Sequence, residues 1–241
     1  MAVKRVEVPD IGTVHLYKRR GVRSIRLSVT GKNEVRVSLP YWVPYAVGLQ
    51  FVAGKRDWVL SQRVQVEQFG NLDQIGKSHH LVFEQSTEAT KPRARTMVGG
   101  EIRIVYPADM DIGDPHVQQT AHRAALRALK QQATVLLIPR LQQMAVQHGF
   151  VYKSVSIKRL TSRWGSCSSQ KDIVLNSYLM QLPWQLIDYV ILHELTHTRI
   201  MAHGAKFWAE LRQYVPNLRD IRRQMRTHRP MLMAKSAKHK L

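Results

Sequence analysis

The 241-residue sequence predicts an α+β protein, in which an antiparallel β-rich part with one helix precedes a helical part with a small sheet. Short runs of alternating apolar and polar residues, typical of half-buried strands, dominate the first part. Longer runs with apolar residues at helical spacing dominate the second part. We therefore expect a β-rich part over residues 1–110, a helical core over residues 111–229 and a basic flexible tail over residues 230–241.

The strand patterns of the first part are short and separated by turn residues. Residues 25–29 and 35–39 alternate on either side of the turn sequence Gly31-Lys32-Asn33, which predicts a β-hairpin. Residues 43–69 have apolar residues at helical spacing and predict a helix. Short strand patterns return between residues 81 and 106.

The second part opens with a long helical pattern over residues 115–148, which Pro139 is expected to kink or interrupt. Residues 151–178 predict strands around a polar loop, and we expect residues 173–176 to form a strand that pairs with extended substrate. Pro183 then begins a strongly apolar helix, since proline is favoured at an early helical position.

This apolar helix contains the pattern H-E-x-x-H at His193, Glu194 and His197. Because residues four positions apart lie on one helix face, the two imidazoles can bind one metal ion. The carboxylate between them can reach a zinc-bound water without binding the metal, as a general base in metal-assisted hydrolysis must. The pattern therefore predicts a metallohydrolase.

A catalytic zinc ion usually has three protein ligands and one open position, so a third donor should lie nearby. His203 is the first candidate and Glu210 is a rival. Because the β-branched Ile200 disfavours positive φ, we expect the helix to continue through it and the chain to turn at residues 202–204. Gly204 would then help to open the next helix.

The net charge and the cysteine content give information on binding partners and on the cellular compartment. The chain has 37 Lys and Arg against 17 Asp and Glu, a net charge of +20, so contacts with polyanions are plausible alongside a merely basic surface. The single cysteine, Cys167, excludes an intrachain disulfide and a cysteine-based zinc site, and we expect it to be a packed side chain. No signal-peptide pattern and no bilayer-spanning apolar run occur, which predicts a cytoplasmic protein.

Two segments carry a family resemblance. The sequence R-W-G-S-C-S from Arg163 to Ser168 and the pattern H-E-L-x-H-x5-H-x3-F-W from His193 to Trp208 closely resemble the YgjP-like metallopeptidase domain family, which is similar to the SprT-like and minigluzincin zinc proteases. The resemblance implies a zincin-like core that binds one zinc ion, and it favours His203 over Glu210 as the third ligand. The site it implies comprises the ligands His193, His197 and His203 and the base Glu194.

The leading hypothesis is a zinc metallopeptidase that cleaves peptide or protein substrates, with Arg163, Trp164 and Asn176 as candidate substrate contacts. Some family members carry the label of a UTP-type nucleotide pyrophosphatase, so a nucleoside triphosphate is an alternative substrate for the same metal site. A basic nucleic-acid-associated protein with a structural zinc ion is a further alternative. A fourth protein ligand would indicate structural zinc, whereas an open position would indicate catalysis.

Overall fold

The computed structural model describes residues 3–29, 34–62 and 68–233, and the chain divides into two compact units at residues 67 and 68. The first unit combines one small sheet with two short helices. Its elements are β1 (Val3–Val8), β2 (Gly12–Arg19), β3 (Arg26–Val29), β4 (Val35–Pro40), α1 (Tyr45–Ala53) and α2 (Arg56–Gln62).

The sheet of the first unit has the strand order β1-β2-β4-β3. The predicted hairpin is confirmed, because β3 pairs antiparallel with β4 and Leu27 lies opposite Val37; its turn residues, 31–33, fall outside the described residues. The expected antiparallel arrangement does not hold for one pair of this sheet, since β4 lies parallel to β2. Alternation specifies which face of a strand is buried but not which strand becomes its neighbour.

The single helix predicted over residues 43–69 is instead two helices, α1 and α2, separated at Gly54 and Lys55. Glycine is a poor helix former, which accounts for the break. A second glycine, Gly48, allows α1 to approach the sheet, because a Cβ atom there would lie 2.9 Å from the side chains of Leu16 and Leu39. Residues 63–67 of the predicted helix lie outside the described part of the chain.

The second unit places two small sheets and three shorter helices around one long helix, and it also contains a short 3₁₀ helix at Ser177–Gln181. Its elements are β5 (Gln74–Ile75), β6 (His79–Ser86), β7 (Arg93–Thr96), β8 (Glu101–Pro107), α3 (Pro115–Gln147), β9 (Ser154–Lys158), β10 (Gly165–Cys167), β11 (Asp172–Asn176), α4 (Trp184–His197), α5 (Ala205–Tyr214) and α6 (Leu218–Met225).

Helix α3 is the scaffold of this unit. It begins at Pro115, and the Asp114 carboxylate accepts a hydrogen bond of 2.7 Å from the backbone N–H of His116, which caps its first turn. Helix α3 is not interrupted at Pro139, because it runs through this residue as one helix of 33 residues; the kink expected there stays a prediction. Its buried alanine and leucine side chains share one core with both sheets and with α4.

The sheet β5-β6-β8-β7 packs on α3, so it belongs to the same compact unit as the helices. The pair β6–β8 is parallel, which is a second departure from the expected antiparallel arrangement. The predicted parts, 1–110, 111–229 and 230–241, stay a prediction of domain organisation, and residues 234–241 of the tail lie outside the described residues. No helix in the described ranges combines the length and apolarity needed to cross a lipid bilayer.

A buried glutamine joins α3 to the first turn of this sheet. The Gln132 side chain donates to the carbonyl of Ile75 at 2.8 Å and accepts from the N–H of Lys77 at 2.7 Å. The intervening Gly76 has a φ of +71°, and a Cβ atom there would lie 2.5 Å from Oε1 of Gln132. The close contact therefore requires glycine at position 76 and an amide at position 132.

We expect Gln132→Leu to lower the free energy of unfolding by about 2–6 kcal/mol, because two backbone groups lose their partners and each costs about 1–3 kcal/mol. The neighbouring Gln131 is exposed, so Gln131→Leu should change stability by less than about 0.5 kcal/mol. Urea unfolding followed by circular dichroism measures both variants. An equal loss in the two variants would contradict the bridging role of Gln132.

Candidate metal centre

Helix α4 presents His193, Glu194 and His197, while its apolar residues pack into the core. The helix ends at His197 and does not continue through Ile200 as predicted, although the Ile200 N–H still donates to the Thr196 carbonyl at 3.0 Å. The Thr198 hydroxyl donates to the Leu195 carbonyl at 2.7 Å, a local bond that competes with helix continuation. Gly204 directly precedes α5, in agreement with the sequence prediction.

The Nε2 atoms of three histidines converge. His193 and His197 are 3.2 Å apart, His197 and His203 are 3.1 Å apart, and His203 and His193 are 3.0 Å apart. Nitrogen atoms that bind one tetrahedral zinc ion at about 2.0–2.1 Å lie about 3.3 Å from each other. The spacing of the three imidazoles therefore fits a single small metal ion.

The protonation of the imidazoles also suits a metal. Nδ1 of His197 donates to the carbonyl of Ile200 at 3.2 Å, which leaves the Nε2 lone pair free for a ligand. Burial, with smaller contributions from His197, His203 and Arg222, lowers the pKa of His193 to about 3, and burial also lowers the pKa of His197. Neutral imidazole is the form that binds metals.

Two aromatic residues of α5 hold the imidazoles in place. The ring of Phe207 is fully buried, and its centroid lies 4.6–4.9 Å from the centroids of all three imidazoles. Trp208 stacks on His203 at 5.6 Å, and its Nε1 donates to the His203 carbonyl at 3.0 Å. Sequence analysis did not assign these residues to the site; their position after the third histidine was the available signal.

Glu194 is 5% exposed and lies against strand β10. A Cβ atom at Gly165 would lie 2.7 Å from Oε1 of Glu194, so the carboxylate occupies space that only glycine leaves open. Burial raises the pKa of Glu194 to about 8, and the charge of Arg163 opposes this shift. A divalent cation nearby would act in the same direction as Arg163, because opposite charge favours the carboxylate. The group can therefore exchange a proton near neutral pH.

The three candidate substrate contacts occupy different environments. Arg163 is exposed, and Trp164 is half-buried against the core. Asn176 is fully buried, and its amide donates to the carbonyls of Leu160 and Arg163 at 2.7 and 2.8 Å. These bonds argue against the predicted contact of Asn176 with substrate, because its amide is occupied in holding the loop before β10.

Strand β11 is the centre of the small sheet, whose order is β10-β11-β9. Since β11 pairs with β10 on one side and with β9 on the other, both of its edges are occupied. The prediction that residues 173–176 pair with substrate is therefore wrong. Within the described part of this sheet, the edge next to Glu194 belongs to β10.

The rival ligand Glu210 is not part of the cluster of three imidazoles. Its Oε1 accepts hydrogen bonds from Arg199 at 2.6 Å and from the Tyr214 hydroxyl at 2.7 Å. Arg199 also donates to the carbonyls of His148 and Gly149 at 2.9 and 2.8 Å. Arg199 thus ties the segment after α4 to α5 and to the end of α3, with Glu210 as its ion-pair partner.

Asp188 and Cys167 have environments that indicate structural roles. Asp188 pairs with Arg140 of α3 through two hydrogen bonds and does not contact an imidazole. Burial, together with Glu194 and Asp172, raises the pKa of the Cys167 thiol to about 11, so this thiol is a poor nucleophile.

Among the described residues, the group of potential ligand atoms within 4.8 Å of each other comprises His193, His197 and His203 alone.

A family model described as YgjP-like, metallopeptidase domain, matches residues 23–228. The solved structure of the metallopeptidase zymogen jannalysin from Methanocaldococcus jannaschii is 28% identical over 36% of this chain and 90% of that chain, with a TM-score of 0.33. The zymogen abylysin from Pyrococcus abyssi is 23% identical over 38% of this chain and 95% of that chain, also with a TM-score of 0.33. No curated protein sequence matches the chain.

We expect His203→Ala to weaken zinc binding by more than about 100-fold, since loss of an outer hydrogen-bond partner alone costs about 10–100-fold. His116→Ala, at an exposed position in the first turn of α3, should leave zinc affinity unchanged. Competition with a chromogenic chelator measures the affinity, and elemental analysis measures the zinc content. Equal affinities for the two variants would remove His203 from the metal site.

Proposed function

Because the chain belongs to the YgjP-like metallopeptidase domain family, we propose that it is a zinc-dependent peptidase. In this proposal His193, His197 and His203 bind one zinc ion and Glu194 is the general base. The observation that supports it most strongly is the convergence of three Nε2 atoms within 3.0–3.2 Å beside a buried carboxylate that is not part of the ligand group.

A bound zinc ion would polarise the scissile carbonyl and acidify a water molecule. Glu194 would accept the proton of that water and later deliver it to the amine leaving group, a role that suits a carboxyl with a raised pKa. Gly165 and Phe207 would limit the positions that the carboxylate and the imidazoles can adopt. A preorganised base of this kind needs little rearrangement during the reaction.

We further propose that the substrate binds β10 as an added strand. Trp164 and Ser168 form backbone hydrogen bonds to β11, through the Asn176 N–H and the Asp172 carbonyl. Because antiparallel pairing alternates along a strand, Gly165 and Cys167 direct their backbone groups to the other side. An extended peptide could use these groups and so lie beside Glu194.

The number of ligands favours a catalytic zinc ion over a structural one. Structural zinc sites normally have four protein ligands, whereas catalytic sites have three and one open position. Three imidazoles form the cluster in the described part of the chain. This count supports hydrolysis and argues against the alternative of a binding protein with a structural zinc ion.

We expect Glu194→Gln to reduce peptide turnover by about 10²–10⁴-fold, the usual contribution of a general base, while zinc content remains full. Glu88→Gln, at an exposed position, should retain wild-type turnover. Casein and UTP assays on zinc-loaded protein distinguish peptidase from pyrophosphatase activity. Full zinc content with undiminished turnover in Glu194→Gln would refute the role of the base, and UTP turnover without casein turnover would refute the peptidase assignment.

Gly165→Ala should reduce turnover by about 100-fold, as expected when a catalytic group moves by about 1 Å. The new methyl group would displace the Glu194 carboxylate, which lies 2.7 Å from the Cβ position. Zinc affinity should not change, because the three atoms nearest the Cβ position all belong to Glu194 and none to an imidazole. Gly70→Ala is the control, since a Cβ atom there has no neighbour within 4 Å. Turnover in Gly165→Ala equal to that of the control would contradict the packing argument.

A further inference from the structure

A groove rich in arginine lies next to the proposed metal centre. It has a volume of about 670 Å³ and is formed by the end of α5 and by α6. Four of its arginines occur at positions 219, 222, 223 and 226, a spacing that places them on one face of a helix. The side chains that define the groove are Trp208, Arg212, Arg219, Arg222, Arg223 and Arg226.

Within the described part of the chain, most of these arginines lack an acidic partner. Arg223 forms an exposed ion pair with Asp220 at 3.0 Å. Among the ion pairs of residues 68–233, none involves Arg212, Arg219 or Arg226, and the guanidinium of Arg222 lies instead 3.9 Å from the centroid of the Trp208 ring. Like charges on one helix face repel each other, so an anionic ligand would be bound favourably here.

The groove borders the proposed site of chemistry, because Trp208 lines the groove and also stacks on His203. Arg222 packs on Trp208, and Trp208 stacks on His203 with ring centroids 5.6 Å apart. A polypeptide chain that is bound at the three imidazoles would therefore reach the groove within a few residues. The anion bound there would belong to the substrate itself.

We propose that this groove binds an acidic segment of the peptide substrate and so directs the enzyme to sites beside aspartate and glutamate residues. This inference rests on the proposed peptidase function. The planar guanidinium fork of arginine matches the carboxylate group and can form two parallel hydrogen bonds with it. Because the groove lies next to the metal centre, its ligand in this proposal is part of the peptide that is bound there as substrate.

The aromatic content of the groove disfavours a single-stranded nucleic acid. Such ligands usually combine phosphate contacts with bases that stack on free aromatic rings. Trp208 is half-buried and already packs against His203 and Arg222. Its ring is therefore occupied by contacts within the protein.

The test measures binding without turnover. Zinc-loaded Glu194→Gln protein is titrated into a fluorescein-labelled peptide containing four glutamates, and into the same peptide with glutamines in their place. We expect the acidic peptide to bind at least about tenfold more tightly, with a preference that declines as salt is raised. Equal affinities for the two peptides would overturn the proposal.

Matched double variants in the same background locate the binding. Arg219→Gln with Arg226→Gln should reduce the affinity for the acidic peptide by about tenfold or more. Arg123→Gln with Arg127→Gln removes the same charge from exposed positions of α3 and should reduce it by less than about twofold. Equal losses in the two double variants would overturn the proposal, because only the total charge would then matter. The single variant Arg212→Gln tests the groove independently, and unchanged binding in both groove variants would also refute it.

The last binding experiment uses a labelled single-stranded oligonucleotide that carries the same number of negative charges as the acidic peptide. Tighter binding than the acidic peptide, lost in the groove variants, would overturn the proposal in favour of a nucleic-acid surface. Weaker binding, or binding that the groove variants do not change, would support it. Since no arm requires cleavage, absence of casein turnover in the wild type would count against the peptidase function, and absence of a charge preference would count against the groove.

Discussion

The approach of three imidazole nitrogens to within 3.0–3.2 Å of one another is the constraint on which the second unit depends. Three nitrogens in a triangle cannot form three hydrogen bonds with one another, because each Nε2 atom either carries a proton and donates or has a lone pair and accepts. Bringing neutral imidazoles together in a largely apolar site is costly unless a cation binds between them. The surrounding packing therefore serves to hold a ligand set that has little reason to assemble by itself.

Helix geometry alone positions two of the imidazoles, whereas side-chain contacts position the third. His193 and His197 are placed by the regular geometry of α4, which is anchored to α3 by the pair of Arg140 and Asp188. His203 lies in an irregular segment, whose course is determined by Arg199 and by the contact of Trp208 with the His203 backbone. Side-chain contacts therefore order this irregular segment, as backbone hydrogen bonds order α4.

The sequence predicted the features that depend on local periodicity and missed those that depend on pairing between distant segments. Helical spacing was sufficient to place His193, Glu194 and His197 together, and alternation identified most strands. Strand β10 was read as part of a loop, because its three residues, Gly165–Cys167, are too few to show a period. The parallel pairs β2–β4 and β6–β8 and the central position of β11 are set by topology, which alternation does not encode. The buried state of Asn176 follows from the same central position.

Gly165 links the base to the strand that we propose as the substrate platform. The Glu194 carboxylate rests against the backbone of β10, and the proposed peptide would be aligned by that same backbone. A small thermal displacement of the strand would carry both partners with it, so their separation would vary less than either absolute position. Because Gly165 has no side chain, the same backbone would position both the base and the proposed peptide. Their position relative to each other would therefore be kept, although β10 has only three residues.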